Sequence, residues 1–462
     1  MHFFHLLVSA QQTARAFTGT YGINYGRIAD NIPSPDKVVK LLRAAKIKNV
    51  RIYDAEPSVL NAFKGTGLEL VVGLPNGFVK EMSANADHAL NWVKDNVKAF
   101  LPDTRIVGIA VGNEVLGGSD NEMEVALLNA VKNVYNATKK LGISDVVQIS
   151  TAHSQAVFAD SFPPSYCVFK DGVAQLMKPL LEFFSKIGSP FCLNAYPFLA
   201  YTYNPDKIDI NYALFQPNEG IVDNKTHLHY DNLLDAQIDA AYAALEDAGF
   251  RKMEVIVTET GWASDGDENE PAATPSNART YNYNLRKRLA KRKGTPLRPK
   301  KMLKAYIFAL FNEYQKTGQS SEKNFGLFKA DGSISYDVGF SGLQDISAAS
   351  SLLSLKPIFS YSKEQEAFSK SIDRRRTGKR LRKEEMSRGK KKKRKEEKKA
   401  TWISCCSWCL HDCWCLSWNF GNTGNSSSRV LFVSNSNHNF NIDSAVEVMT
   451  TFFDLILYEI PD

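Results

Sequence analysis

The chain has 462 residues, 44% apolar and 23% charged, enough to bury a real core in one large domain or in two to three ordinary ones. No apolar run reaches about 18 residues, and only Cys167 and Cys192 fall in the first 400 positions, so neither a transmembrane helix nor a disulfide scaffold is expected for the main body. The net charge of +7 is uneven: 16 Lys and Arg stand against 4 Glu in residues 374–399, which leaves the rest of the chain mildly acidic.

In chain order, residues 1–18 carry a short apolar stretch and small residues but no basic start. They read as a weak or truncated signal peptide, with an unstructured tail as the alternative. If the chain is secreted, Asn136-Ala-Thr and Asn224-Lys-Thr become glycosylation acceptors. The first β-prone run, TYGINYG, begins near Tyr21, and Pro35 then opens an amphipathic helix over residues 36–45. NVRIYD near Val50 and LELVVGLP near Leu68 are the second and third runs. Apolar spacing of three and four predicts helices over 89–100 and 124–141, on either side of IVGIAVGNE from Ile106. VVQISTAH near Val146 and FCLNAYPF near Phe191 follow. An Ala-rich helix over 233–248, capped by Gly249, leads to EVIVTET near Val255, and AYIFALFNE near Ala305 is the eighth run.

Strands alternating with helices imply a parallel sheet, and eight repeats over about 300 residues fit a (β/α)8 TIM barrel. An open doubly wound sheet is the alternative, but Gly22 and Gly26 do not form its glycine-rich phosphate loop. The barrel is expected over 19–345. A Ser-rich linker (346–373), the basic low-complexity run (374–399) and a Cys-containing tail of unknown structure (400–462), mostly disordered or poorly packed, would follow.

Polar residues gather at the carboxyl ends of the runs, where barrel chemistry takes place: Asn24 and Tyr25, Tyr53 and Asp54, Asn76, Asn113 and Glu114, His153, Asn194 and Tyr196, Glu259, Asn312 and Glu313. Glu114 and Glu259 each close an apolar, buried-strand run, where an acid is costly without a partner or a task. Each could be a structural acid paired with a buried base. Together they suggest a paired-carboxylate site for glycoside hydrolysis, in which retention needs the two groups about 5–5.5 Å apart. Asn113 beside Glu114 suits a contact to a sugar 2-hydroxyl. That favours Glu114 as the protonated acid and Glu259 as the nucleophile, although the residues alone leave the roles open. Tyr25, Tyr196, Phe198, Tyr201, Trp262 and Phe325 are candidate aromatic faces for sugar rings, with core packing as the competing role.

The motif VTETGWASDGD resembles the nucleophile region of plant glycoside hydrolase family 17, the endo-β-1,3-glucanases. The resemblance continues through GTYGINYGRIADNIPSP, VRIYDAEPSVLNAF, VVGLPN, IAVGNEV, FCLNAYPF and FALFNEYQKTGQSSEKNFGLFKADGS, over about residues 19–345. It implies a (β/α)8 barrel, a retaining mechanism, Glu259 as nucleophile and Glu114 as acid/base. It also implies that Tyr53, Asn113, Glu313 and Glu322 lie in or beside the cleft. Ala263 departs from the family's usual proline after Gly-Trp. The implied substrate is a linear β-1,3-glucan, such as callose or a fungal wall polymer, and no metal or organic cofactor is implied. A monomer secreted to the apoplast or cell wall is expected.

Several residues also have plainer readings. Glu313 and Glu322 either orient the catalytic pair or are surface acids. Tyr53 either donates to the nucleophile or packs in the core. His153 reads as a barrel-end structural histidine, and Cys167 and Cys192 as buried free thiols. A barrel that binds glucan without cleaving it is the competing function. The basic run raises a nucleic-acid partner, which is not expected because almost no aromatics interleave with its charges. The cysteines at 405–415 lack separated CxxC pairs for zinc, and the acidic C-terminus argues against a lipid anchor.

Overall fold

Eight short strands, each followed by helical or looped connections, close on themselves in the computed structural model, which describes residues 19–339 and the strands Cys413–Leu416 and Leu431–Ser434. They are β1 (Tyr21–Asn24), β2 (Asn49–Arg51), β3 (Glu69–Leu74), β4 (Ile106–Asn113), β5 (Gln148–His153), β6 (Phe191–Asn194), β7 (Val255–Thr260) and β8 (Ala305–Ile307). Each pairs in parallel with the next, and β8 pairs with β1, so the sheet has no free edge. All eight expected runs are barrel strands, and the order rules out the open doubly wound sheet.

The helices begin and end on recognisable signals. Pro35–Ala44 starts with proline at its first position and buries Val38, Val39, Leu41 and Leu42. Asn121–Lys140 is capped by Asp120, whose side chain accepts from the Met123 amide. Leu233–Asp247 is capped by Asn232 and is followed by Gly249 at φ 91°, the left-handed stop expected there. The expected 89–100 helix is instead Ala86–Asn96 followed by a 3-10 turn, Lys98–Phe100. The main core lies between the strands and the helices. A small second cluster of Val71, Val107, Ala110, Ile256 and Tyr306 fills the inside of the barrel, as alternation along the strands requires.

Two strands lose register near their carboxyl ends. β4 shifts against β5 between Ala110 and Asn113, and β7 shifts against β6 between Val257 and Glu259. Such bulges re-aim the residues that follow, here Glu114 and Glu259.

The chain divides into two units, residues 1–367 and 368–462, and Cys413–Leu416 pairs antiparallel with Leu431–Ser434 in the second. The expected signal peptide, the linker, the basic run and the remainder of the 400–462 tail lie outside the described residues. Among the described residues no helix is long and apolar enough to cross a membrane.

Candidate active site

Glu259 sits next to last in β7, which is buried along its whole length, and the side chain is only 7% exposed. Its charge is compensated from β2. Arg51, 2% exposed, places Nη1 2.6 Å from Glu259 Oε1. The Tyr196 hydroxyl donates to the other oxygen, Oε2, at 2.8 Å. Both carboxylate oxygens are thus held, and the group cannot rotate without breaking a charge-assisted bond. The Tyr53 hydroxyl also bonds this carboxylate; burial first, and then the charge of Glu259, keep it protonated well above its ordinary range. The next residue but one, Gly261, has no room for a side chain, because a Cβ there would run into the Phe308 carbonyl oxygen.

Glu114 follows β4 in a left-handed conformation, φ 54°, that non-glycine residues rarely adopt. Its amide donates to the Ala152 carbonyl at 2.9 Å, which anchors this strained turn to β5. Asn194 Nδ2 donates to Glu114 Oε1 at 2.6 Å and also lies 3.2 Å from Asn113 Oδ1. Asn194 is itself fixed by Thr258 Oγ1, which donates to its Oδ1 at 2.7 Å. Arg51 Nη2 donates to Asn113 Oδ1 at 2.8 Å. An unbroken set of hydrogen bonds therefore joins the two acids through Arg51, Asn113 and Asn194. Because Asn113 Oδ1 accepts twice from the protein, the NH2 end of its amide is the end left for a ligand. Asn76 locks the Asn113 backbone from both sides, accepting from its N–H at 2.7 Å and donating to its C=O at 3.0 Å.

The two acids have different electrostatic settings. Burial first, and the charge of Glu259 second, push the Glu114 carboxyl up to about 7, against the opposing pull of the Asn194 bond and Arg51. Glu259 has the cation in direct contact. Burial raises the one carboxyl, and a guanidinium touches the other.

A cleft of about 900 Å³ opens above them. It is lined by Tyr25, Tyr53, Asn113, Glu114, Asn194, Tyr196, Glu259, Glu313, Glu322 and Phe325, among others. Glu313 is buried, accepts from the Ile28 amide at 3.0 Å and lies 3.8 Å from Lys316, which is also 3.5 Å from Glu322. Burial raises the Glu313 carboxyl above its ordinary range, opposed by Lys316. Gly26 lies against Glu313 with no space for a Cβ. Phe325 packs edge-on against Tyr196 and Phe308 and so shapes the cleft wall.

Trp262 takes the core-packing role that was its alternative. It is fully buried, donates Nε1–H to the Ala272 carbonyl at 2.8 Å and packs among Phe198, Tyr201 and Tyr281. It follows the end of β7 and packs on Phe198, which in turn backs Phe325 of the cleft wall. Phe198 and Tyr201, the other aromatic candidates, also do not line the cleft. Trp262→Phe is expected to cost about 1 kcal/mol of stability through the lost hydrogen bond and to leave KM for substrate unchanged. A denaturation curve and one saturation curve check both. His153 stacks on Phe191 at 5.0 Å and burial keeps it neutral, and Cys167 and Cys192 are free and buried.

Sequence reasoning missed Arg51, the residue that joins the two halves of the site. Its signal was an arginine inside the otherwise apolar strand NVRIYD. Gln155 and Tyr203 also line the cleft and carry no local motif.

A family model described as glycosyl hydrolases family 17 matches residues 21–340. Glucan endo-1,3-beta-glucosidase 11 of Arabidopsis thaliana is 46% identical over 331 residues, which is 71% of this chain and 77% of that protein. Glucan endo-1,3-beta-glucosidase 14 of the same plant is 45% identical over 336 residues, 72% of this chain and 86% of that one. Among solved structures, a beta-1,3-glucanase and allergen of Cryptomeria japonica pollen is 40% identical, with a TM-score of 0.67, and covers 70% of this chain and 99% of its own.

Proposed function

Because the chain belongs to glycosyl hydrolases family 17, we propose that it hydrolyses internal β-1,3-glucosidic bonds of β-1,3-glucans, such as callose or fungal wall glucan, with retention of configuration. The observation that carries this reading is the split between the two acids: Glu259 is clamped by Arg51 and Tyr196, while Glu114 is pushed up to about 7. In the first step Glu259 attacks the anomeric carbon and Glu114 gives its proton to the departing glucosidic oxygen. In the second, Glu114 takes a proton from water, which attacks the same carbon and releases Glu259. Asn113 offers its NH2 to the 2-hydroxyl, and Tyr53 and Tyr196 supply hydroxyl donors around the nucleophile. A barrel that only binds glucan has no use for an acid raised in this way beside a clamped carboxylate.

Product analysis on laminarin, lichenan and cellulose, with NMR of the first anomer released, tests linkage, internal attack and retention together. Internal β-1,3 cleavage giving the β-anomer first is expected; an α-anomer would overturn retention. The reaction is proposed to take place in the apoplast or cell wall, with the protein acting as a monomer.

The pH dependence follows from Glu114. Its proton is needed in the first step, so kcat/KM is expected to fall about tenfold per pH unit above about 7. The Asn194 hydrogen bond favours the charged form, so Asn194→Leu is expected to move this alkaline limb to higher pH while lowering the maximum rate. A limb that stays in place or moves down would count against Glu114 as the acid.

A further inference from the structure

Residues 275–304 hold 11 Lys and Arg and no Asp or Glu, while the other positions of 19–339 hold 25 Lys and Arg against 36 Asp and Glu. A barrel that is otherwise acidic on balance thus carries one basic block. The block is the helix Pro275–Ala290 and the loop that leads from it to β8. In a parallel barrel such a loop meets the amino end of the next strand, so it lies on the face opposite the catalytic mouth.

Three of these cations have a carboxylate partner: Arg288 with Asp235 at 3.0 Å, Lys304 with Glu254 at 2.8 Å, and Arg298 with Glu246. The Leu297 amide also donates to Asp239 at 2.8 Å, and Arg288 donates to the Gly294 carbonyl at 2.8 Å. The loop is therefore pinned to the helices Leu233–Asp247 and Pro275–Ala290. It also folds on itself. The Leu303 amide donates to the Lys293 carbonyl at 3.2 Å, and a Cβ at Gly294 would run into the carbonyl oxygens of Arg298 and Lys301. One arm, with Lys291, Arg292 and Lys293, is thereby held near the other, with Lys300 and Lys301. These five form no ion pair among the described residues, and all but Lys301 are exposed. Arg292 takes the left-handed conformation, φ 51°, just past the helix end, where glycine is the usual residue. An arginine there carries backbone strain that a glycine would not. Like charges held this close repel one another; a polyanion relieves the repulsion and releases counterions as it binds.

The surface also narrows the partner's chemistry. Among the described residues, no large hydrophobic of 275–304 is exposed, so there is no ring to stack on a base and no wedge for a bilayer. Cationic donors alone suit a hydrated polymer with a carboxylate on successive sugar rings. We propose that this face binds an acidic polysaccharide of the polyuronate type, which holds the protein on a charged matrix and leaves the catalytic mouth on the opposite face free. The choice of a polysaccharide rests on the wall location proposed above; the binding face does not depend on the glucanase reading.

The test measures binding of the full-length protein to polygalacturonate at about 50 mM salt. Lys291→Gln/Arg292→Gln/Lys293→Gln/Lys300→Gln is expected to bind about tenfold more weakly, with a shallower salt dependence, and to release sugar from laminarin at the wild-type rate. Lys291→Arg/Lys293→Arg/Lys300→Arg keeps the charge and is expected to bind as wild type. Residues 374–399 are basic too, so Lys390→Gln/Lys391→Gln/Lys392→Gln/Lys393→Gln removes as many charges there and is expected to lose less. Undiminished binding by the loop variant, an equal loss in the 390–393 variant, or a loss in the arginine variant would overturn the proposal. Equal wild-type affinity for duplex DNA or for phosphatidylserine vesicles would overturn it as well. A wild type that binds polygalacturonate but releases no sugar from any glucan overturns the glucanase reading and leaves this face standing.

Discussion

Replacing Glu259 by alanine is expected to lower kcat on laminarin by about 10^4-fold or more, because the covalent step loses its nucleophile. KM should change little, since the cleft walls remain in place. The loss should have a chemical signature. With an activated aryl β-glucoside and azide, Glu259→Ala should give the α-glucosyl azide, since the small anion enters the emptied space beneath the sugar. Glu114→Ala should be less severe, about 10^2- to 10^4-fold, and least severe on substrates whose leaving group needs no proton. With azide it should give the β-glucosyl azide, because the covalent intermediate on Glu259 still forms. NMR of the two azides assigns the two acids independently of rates. The same anomer from both variants would sink the division of roles.

The second large effect is expected at Arg51, and on stability rather than chemistry alone. Arg51 and Glu259 are 2% and 7% exposed and 2.6 Å apart. Removing one partner of such a pair leaves a buried charge without compensation, at a cost of about 3–5 kcal/mol. Arg51→Met is expected to unfold at a correspondingly lower urea concentration. It should also lose activity, because Asn113 loses its 2.8 Å bond and the two acids lose their link. The double variant Arg51→Met/Glu259→Gln removes both charges and is expected to regain a good share of the stability, though no activity. If the single variant were as stable as wild type, the ion pair would be irrelevant to the fold. If the double variant were no better than the single, the loss would come from packing of the Arg51 stem and not from the unpaired carboxylate.

These predictions depend on contacts of very different visibility in the sequence. The eight strands were legible because a strand buried on both faces reads as an apolar run, and the parallel order followed from the helices between the runs. The two acids were legible for the same reason, since a carboxylate closing IVGIAVGNE or EVIVTET stands out against its neighbours. Family motifs over 19–345 then implied their roles. Trp262 had two readings, a sugar-facing ring or core packing, and long-range contacts with Phe198, Tyr201 and Tyr281 chose the second.

The sequence by itself determined the barrel and the family and singled out a candidate acid pair, because each depends on local periodicity or on a contiguous motif. The tertiary structure decided how the pair is made unequal. Arg51 meets Glu259 across 208 positions, Asn194 meets Glu114 across 80, and Arg51 meets Asn113 across 62. Contacts over such separations leave no pattern in the chain. Closure of the barrel brings the ends of β2, β4, β6 and β7 to one mouth, and there two otherwise similar glutamates meet different surroundings: burial raises Glu114, and Arg51 touches Glu259.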